Sequence, residues 1–414
     1  MQADILVIGA GAAGLAAARA LSDAGRRVVV LEARGRIGGR VWTDRSFGPV
    51  PVERGAEFIH GARAESWPLI RRAGLQAEPV ERWSGRRVVL SPGRLVGPWL
   101  LRVRPDLRRV FTIEQQLAAY AGPERSLAEW LAERGYSPLA AHIADLRIAH
   151  AYCATPTTIS VAELAAELRA ADRGPGDYRI LGGYDRAIEC LAQGLDVRLD
   201  TAVTEIRWDE SGAELSVGPA SQRLQARHVV VTLPLALLQA EAVHFDPPLP
   251  EPKRRAIVAL AMAPAMKLLL RFAEPFWHPQ MTFLSAHDPV PVWWTIRRGA
   301  ALLTGFVTGP RAARLAAAGP GGAIEQGLAE LSAVFGDAPR RLLVDARVVD
   351  WGADEWARGG YSSVPPGAHG QRRVLAEPAG ALHFAGEATV FASNPATVHG
   401  ALHSGERAAR EILG

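Results

Sequence analysis

The chain opens on an apolar run, "ADILVIG", followed by small residues at helical spacing in "AGAAGLAAARALSDAG" and a second apolar run, "RRVVVLEA". Short β-branched runs bounded by glycine read as buried strands, and a longer Ala/Leu stretch reads as a helix packed close on a sheet. The first 32 residues thus predict a strand, a glycine turn, a helix capped by Gly25 and a second strand, a βαβ unit. Further on, "GGYDRAIECLAQGL" predicts a short helix, and strand patterns follow in "DVRLDTAVTEIRWD", "AELSVG" and "RHVVVTLP", with a hairpin turn at "ESGA". From Glu78 to Gly176 the pattern is mostly helical, as in the amphipathic "SLAEWLAERG" and "SVAELAAELRAAD". Pro-rich connections at 245–252 and 363–367 punctuate the second half. Between them lie a buried strand, "AMKLLLRF", the Trp-rich "VWWTIRRGAALLTGFVTG" and the helical "GGAIEQGLAELSAVFG". The tail, "NPATVHGALHSGERAAREILG", is helical, and no internal repeat is visible.

At 414 residues, two or three domains of about 150 residues are expected. Net charge is +4, and the basic residues are scattered among acids, which predicts a solvated surface and no nucleic-acid partner. Cys153 and Cys190 are the only cysteines, lie in no CxxC pair, and fit a reducing compartment. No basic segment precedes the first apolar run, and no apolar stretch reaches the ~20 residues of a membrane span, so a soluble cytoplasmic protein is expected. One compositional feature stands out. Of 47 Lys plus Arg, only Lys253 and Lys267 are lysines, leaving 45 arginines, and Lys267 falls inside the buried strand "AMKLLLRF".

Gly9, Gly11 and Gly14 form G-x-G-x-x-G at a strand–helix junction that includes Ala13, and Glu32 closes the second strand 18 residues beyond Gly14. Gly9 permits the tight turn, Gly11 lets backbone approach a pyrophosphate, and Gly14 lets helix and sheet close up. A carboxylate at Glu32 accepts from ribose hydroxyls. Directly afterwards comes "ARGRIGGRVWT", with Ala33, Arg34, Gly38, Gly39 and Arg40, then "VERGAEFIHG", with Gly55, Ala56, Glu57 and Phe58. A nicotinamide cofactor has no need of this second loop. A longer cofactor, with a flat ring that bare backbone must approach and phosphates that arginine can neutralise, does. The reading is FAD.

The chain resembles the flavin-containing amine oxidases, the family of monoamine oxidases, polyamine oxidases and lysine-specific histone demethylases. Five ordered blocks carry the resemblance: "VIGAGAAGLAAARAL", "LEARGRIGGRVWT", "MKLLLRFAEPFW", "WARGGYSSVPPG" and "FAGEATVFASNPATVHGALHSGERAA". It implies an α/β fold, with a discontinuous Rossmann-like FAD-binding domain (1–77, 180–245 and 371–414) and an α+β substrate domain of mixed sheet and helices (78–179 and 246–370). It implies that Gly386 and Glu387 meet the ribityl and pyrophosphate part of FAD, and that Ala396, Thr397 and Val398 meet the flavin ring at a helix N-terminus. Val203 matches the adenine-holding position. Tyr361 matches an aromatic wall beside the flavin, with Trp351 and Trp356 lining the same cavity. Lys267 matches the family lysine that reaches a water near flavin N5, a task suited to a compact ammonium whose pKa falls when buried.

Departures from the family pattern refine the expectation. Gly360 precedes Tyr361 where some relatives carry a flavin-linking cysteine, so FAD is expected to be held non-covalently. Thr397 stands where monoamine oxidases have a second cage tyrosine, which leaves the cage half open to a bulkier amine. No membrane anchor, added domain or coiled-coil insertion is visible, which argues against a histone substrate. His60 is a candidate polar contact in the substrate cavity, whereas His399 and His403, spaced i, i+4 with no third ligand, predict helix packing and no metal site. The implied reaction oxidises a primary or secondary amine, polyamine-like or bulky and aromatic, to an imine that water hydrolyses to an aldehyde or ketone, with dioxygen as the second partner and hydrogen peroxide as product. An L-amino-acid oxidase, which needs an arginine for the substrate carboxylate, remains open, as do a flavin desaturase or porphyrinogen-type oxidase and a flavoprotein without turnover. Oligomeric state is not legible.

Overall fold

Alternation along the first strand decides how the molecule is layered. In the computed structural model, residues 4–82, 85–91, 94–97, 99, 103–171, 174–218, 222–297, 299–392 and 394–414 are described. Strand Ile5–Ile8 lies between Val28–Leu31 and His228–Val231, and Asp196–Arg198 and Leu382–Phe384 complete a five-stranded parallel sheet. Ile5, Val7, Val30 and Val230 face the helices Ala12–Asp23 and Val398–Leu413, which pack on each other. Leu6, Ile8, Leu31, Val229 and Val231 face a second layer built on the strands Val203–Trp208, Ala213–Val217 and Gln222–Ala226. Both faces of a parallel sheet are thus buried, which is why its strands read as continuous apolar runs. The first helix ends as expected: Gly25, at φ +78°, donates to Ser22, and Arg26 donates to Leu21.

The predicted hairpin at "ESGA" forms, with Trp208 opposite Ala213 and Asp209 accepting from the backbone of Ser211 and Gly212. Strand Gln222–Ala226 was not expected, because only Leu224 and Ala226 on its inner face are buried and the rest is polar.

A seven-stranded mixed sheet runs in the order Leu343–Asp350, Ala265–Phe272, Leu302–Thr308, Val292–Thr295, Phe283–Ser285, Arg86–Ser91, Arg94–Val96. Met266, Leu268 and Leu270 face the helix Gly319–Phe335 and its neighbours, so the period of two puts Lys267 and Leu269 on the opposite side. Helices Ile113–Ala118, Leu127–Glu133, Pro138–Arg147 and Val161–Ala170 pack around Trp130, and Ser126 with Glu129 forms a capping box.

The expectation of a mostly helical 78–176 needs correction at its start. Ala77–Pro79, Arg86–Ser91 and Arg94–Val96 are strands, and Arg86–Ser91 pairs in parallel with Phe283–Ser285, nearly 200 residues away. Such pairing is set by a distant partner, so the local pattern carried little of it. No helix among the described residues is long and apolar enough to cross a membrane.

Candidate cofactor and substrate site

A cavity of about 860 Å³ runs between the parallel sheet and the mixed sheet. At its first end the glycine loop turns at Gly9, where φ is +102° and the amide donates to Leu31. A Cβ on Gly14 would stand 1.9 Å from the Gly9 carbonyl oxygen, so only glycine lets the helix close on the strand. Gly11 differs. Nothing lies within 4 Å of where its Cβ would be, and Gly39 approaches it from the next loop. Bare backbone here faces open cavity, the surface a pyrophosphate requires.

Glu32 accepts from the amides of Ala10 at 2.7 Å and Arg34 at 2.9 Å, which fixes its carboxylate at the strand end. Ala13, Ala33, Gly38, Gly55, Ala56, Val203 and Gly386 line this half with it. The Arg34 guanidinium, expected to face phosphate, forks instead onto Asp354 at 2.5 and 2.8 Å. Arg40 donates to the Gly360 carbonyl at 2.7 Å and to Glu387 at 3.0 Å. Burial raises the Glu387 carboxyl, but Arg40, Arg372 and the Ser362 hydroxyl outweigh it and hold it below the usual carboxylate range. Ala396 takes φ +58° just before Thr397, whose hydroxyl accepts from Gly400 and caps the helix that begins at Val398. All three border the cavity, so the N-terminus of a 16-residue helix stands at its wall.

The other half is aromatic. Tyr361 donates its hydroxyl to the Ala151 carbonyl at 2.7 Å and lines the cavity with Trp356 and Thr397. Trp351 is mostly core, packed with Phe47, Leu269 and Val349 and donating to Arg54, and shows only part of its surface to the cavity. His60 lies 2.5 Å from Asp177, on which Arg82 also converges at 2.6 Å. No group of three or more His, Cys, Asp or Glu among the described residues is arranged to hold a metal.

Lys267 is 4% exposed, lines the cavity, and donates to the Glu53 carbonyl and to Glu57, both at 2.9 Å. Two of its three donors are therefore used. Glu57, placed by the sequence with the cofactor contacts, is engaged within the protein. Besides Lys267 it accepts from Arg179 at 2.8 and 3.0 Å and from Trp294 at 3.0 Å. Burial raises its carboxyl, and the Lys267 and Arg179 charges overcome that and hold it low. Nearby Glu53 is pushed up to about 7 by burial, with Tyr184 and Thr43 donating to it. Phe58, likewise expected at the cofactor, packs its ring against Trp294 and Phe283, 5.4 and 6.2 Å between centroids.

Sequence reasoning missed Arg82, Arg86, Asp177, Phe283 and Trp294, which line the same chamber. Arg82 and Arg86 fell in the segment read as helical. The alternation in "VWWT" carried a signal for Trp294, since its register faces one tryptophan into the core at Trp293 and the next to the cavity.

Comparison with known proteins identifies the family and the fold. The family model described as flavin containing amine oxidoreductase matches residues 12–413. Polyamine oxidase 3 of Oryza sativa subsp. japonica is 31% identical over 98% of this chain and 88% of its own length. Lysine-specific histone demethylase 1B of Mus musculus is 31% identical over 99% of this chain but 52% of its own, so the chain spans about half that relative's length. A solved structure of putrescine oxidase bound to putrescine superposes with a TM-score of 0.85 at 25% identity, covering 100% of this chain and 99% of that one. The residue before Tyr361 has no room for a side chain, since a Cβ on Gly360 would stand 2.6 Å from the Ala265 Cβ, which suits a cofactor held without a covalent link. The chain belongs to the flavin-containing amine oxidoreductases, with FAD as its non-covalently bound cofactor.

Proposed function

We propose that the protein oxidises a primary or secondary amine to an imine, which water hydrolyses to an aldehyde or ketone. The CH–NH unit loses two electrons and two protons, and dioxygen takes up both as hydrogen peroxide. FAD, when bound, supplies the hydride acceptor, N5 of its ring, that links the two halves. The observation that carries this reading is the continuity of one cavity from the glycine loop and Glu32 to an aromatic chamber with Lys267 in its wall.

The chain's own part is orientation and exclusion of water. Tyr361, Trp356, Phe58 and Trp294 offer apolar faces that favour the uncharged amine, the form that can give up hydride. Lys267, fixed by Glu53 and Glu57, has a third donor with which to hold a single water at the chamber wall. Thr397 leaves the chamber wider than a second tyrosine would.

The test is anaerobic addition of a panel of amines to the FAD-loaded protein. Loss of the oxidised flavin's visible absorption, followed by one equivalent of peroxide on admitting air, is expected for at least one amine class. A flavin that stays oxidised across polyamines, aryl-alkyl amines and amino acids would sink the proposal.

A further inference from the structure

Outside the cofactor cavity, a cleft of about 380 Å³ opens on the face of the mixed sheet opposite Lys267, between the loop 286–290 and the helix Gly319–Phe335. Its walls are mostly apolar, with Val89, Ala329, Ala333 and Val334 among them. Two acids, Asp288 and Glu330, border it, and no lysine or arginine does among the described residues. One oxygen of Glu330 accepts from the Val290 amide at 3.1 Å and from the Trp293 indole at 3.4 Å. The other, Oε1, is buried and has no hydrogen-bond partner among the described residues. One strand separates this cleft from the chamber: Trp293 donates to Glu330 on one face, and Trp294 to Glu57 on the other.

The charged groups around Glu330 are engaged with one another. Asp288 accepts from Arg311 at 2.6 Å and from Arg314 at 2.7 Å, and Arg311 also donates to Asp145 at 3.0 Å. His287 stacks on His142, 5.1 Å between ring centres. Arg87, on the strand that supplies Val89, donates to the Arg86 carbonyl, and Glu325 on the helix pairs with Arg340. The two aspartates and their two arginines cancel, so an ionised Glu330 adds a negative charge to the cleft with no ion-pair partner among the described residues. Burial pushes Glu330 up to about 8, against the Trp293, Val290 and His287 donors, and Asp288 adds to the rise. Such a carboxyl gains most from a ligand that brings its own positive charge and N–H donors, while the walls require the rest of that ligand to be hydrocarbon. We propose that this cleft is a second cation site, separate from the aromatic chamber, where an amine or amidine with an apolar body binds on the Glu330 carboxylate. It stands whether or not the chamber oxidises amines. Because the carboxyl holds its proton below about pH 8, binding releases that proton, and affinity should fall about tenfold for each pH unit below that point.

The experiment is calorimetric titration of the FAD-loaded full chain with benzamidine and its neutral twin benzamide. Benzamidine carries no hydrogen on the carbon that bears nitrogen, so the flavin cannot oxidise it and binding is read without turnover. It is expected to bind at least tenfold tighter than benzamide, with heats that vary with the buffer and report about one proton released at pH 7. Glu330→Gln should abolish that preference, and so should Ala333→Phe, which places a ring at the exposed rim of the cleft. Equal binding of the twins, or no binding at millimolar concentration, overturns the proposal. So does benzamidine binding that survives both substitutions and perturbs the flavin's visible absorption, which would put the ligand in the chamber. If Glu330→Gln fails to fold, Ala333→Phe and the pH dependence of the wild type decide: an affinity flat from pH 6 to pH 8 excludes Glu330 as the anion. The oxidase reading is judged separately by the amine panel, since benzamidine tests no oxidation.

Discussion

Replacing Glu57 by Gln and Lys267 by Met is expected to destabilise the protein unequally, because the carboxylate serves two cations while the ammonium serves one carboxylate. Glu57 is 6% exposed and accepts from Lys267, Arg179 and Trp294. Glu57→Gln leaves both cations facing a neutral amide, and removing one member of a buried pair costs about 3–5 kcal/mol. Lys267→Met leaves Glu57 with Arg179 and the indole, and forfeits chiefly the bond to the Glu53 carbonyl, about 1–2 kcal/mol. An unfolding entropy of about 2.1 cal/mol/K per residue makes each kcal/mol worth roughly 1 °C in a chain this long. Melting at one fixed scan rate should therefore fall by about 3–5 °C for Glu57→Gln and about 1–2 °C for Lys267→Met. The double variant should lose less than the two singles together, since removing Lys267 takes away one stranded cation, with a coupling of about 1–3 kcal/mol. Equal losses from the two singles, or strict additivity, would refute the argument. On the functional side, Lys267→Met should take up FAD yet react more slowly with amine or oxygen. Unaltered rates of flavin reduction and reoxidation would remove Lys267 from the chemistry.

Lys253, 3% exposed, donates to the carbonyls of Val374, Leu375 and Glu377 at the end of the helix Gln371–Ala376, so Lys253→Met should lower the melting temperature by about 2–4 °C and Lys253→Arg should not restore it. Burial pushes Glu330 up to about 8 from 4.5, and it accepts from Val290 and Trp293. Its contribution to stability is fully present below pH 4.5 and is lost as pH rises through about 8, so Glu330→Gln should flatten the melting profile across that window. A profile of unchanged slope would count against it. Gly11→Ala meets open space in the protein and should keep the melting temperature of the flavin-free chain while weakening FAD binding at least tenfold. Gly14→Ala, whose Cβ would strike the Gly9 carbonyl at 1.9 Å, should lower the melting temperature itself. The same loss of stability from both would contradict the division of roles between these glycines.

How far the sequence was legible followed the range of the interactions involved. The opening strand, helix and strand announced themselves because apolar periodicity and the glycine turn are local, and the helix ends, Gly25 and the Ser126–Glu129 box, are local too. The strand Arg86–Ser91 did not, because its partner Phe283–Ser285 lies far along the chain. With that strand went the arginines that line the aromatic chamber. The role of Glu57 was hidden for a different reason. Its position in a glycine-rich loop pointed to the cofactor, but its partners Arg179, Lys267 and Trp294 come from three distant strands that only the tertiary fold brings together. Arg34 shows the converse: a charge suited to phosphate by its loop is drawn away by Asp354, 320 residues on.

The two lysines show what rarity in a sequence does and does not signify. Burial alone does not demand lysine here, because Arg372 is 1% exposed and its flat guanidinium spans the Ser362 hydroxyl, the Ser362 carbonyl and the Glu387 carbonyl. What Lys253 and Lys267 share is a set of acceptors converging on one point, three carbonyls in the first case and a carbonyl with a carboxylate in the second. A compact ammonium can aim several donors at such a point, and a planar fork cannot. Scarcity of lysine among 45 arginines therefore marks a demand on shape, and it marks it at both positions. Only Lys267 borders the cavity, whereas Lys253 closes the end of a helix against the face of Phe384. The cavity wall, and not the rarity of the residue, is what makes Lys267 rather than Lys253 the proposed participant in the chemistry.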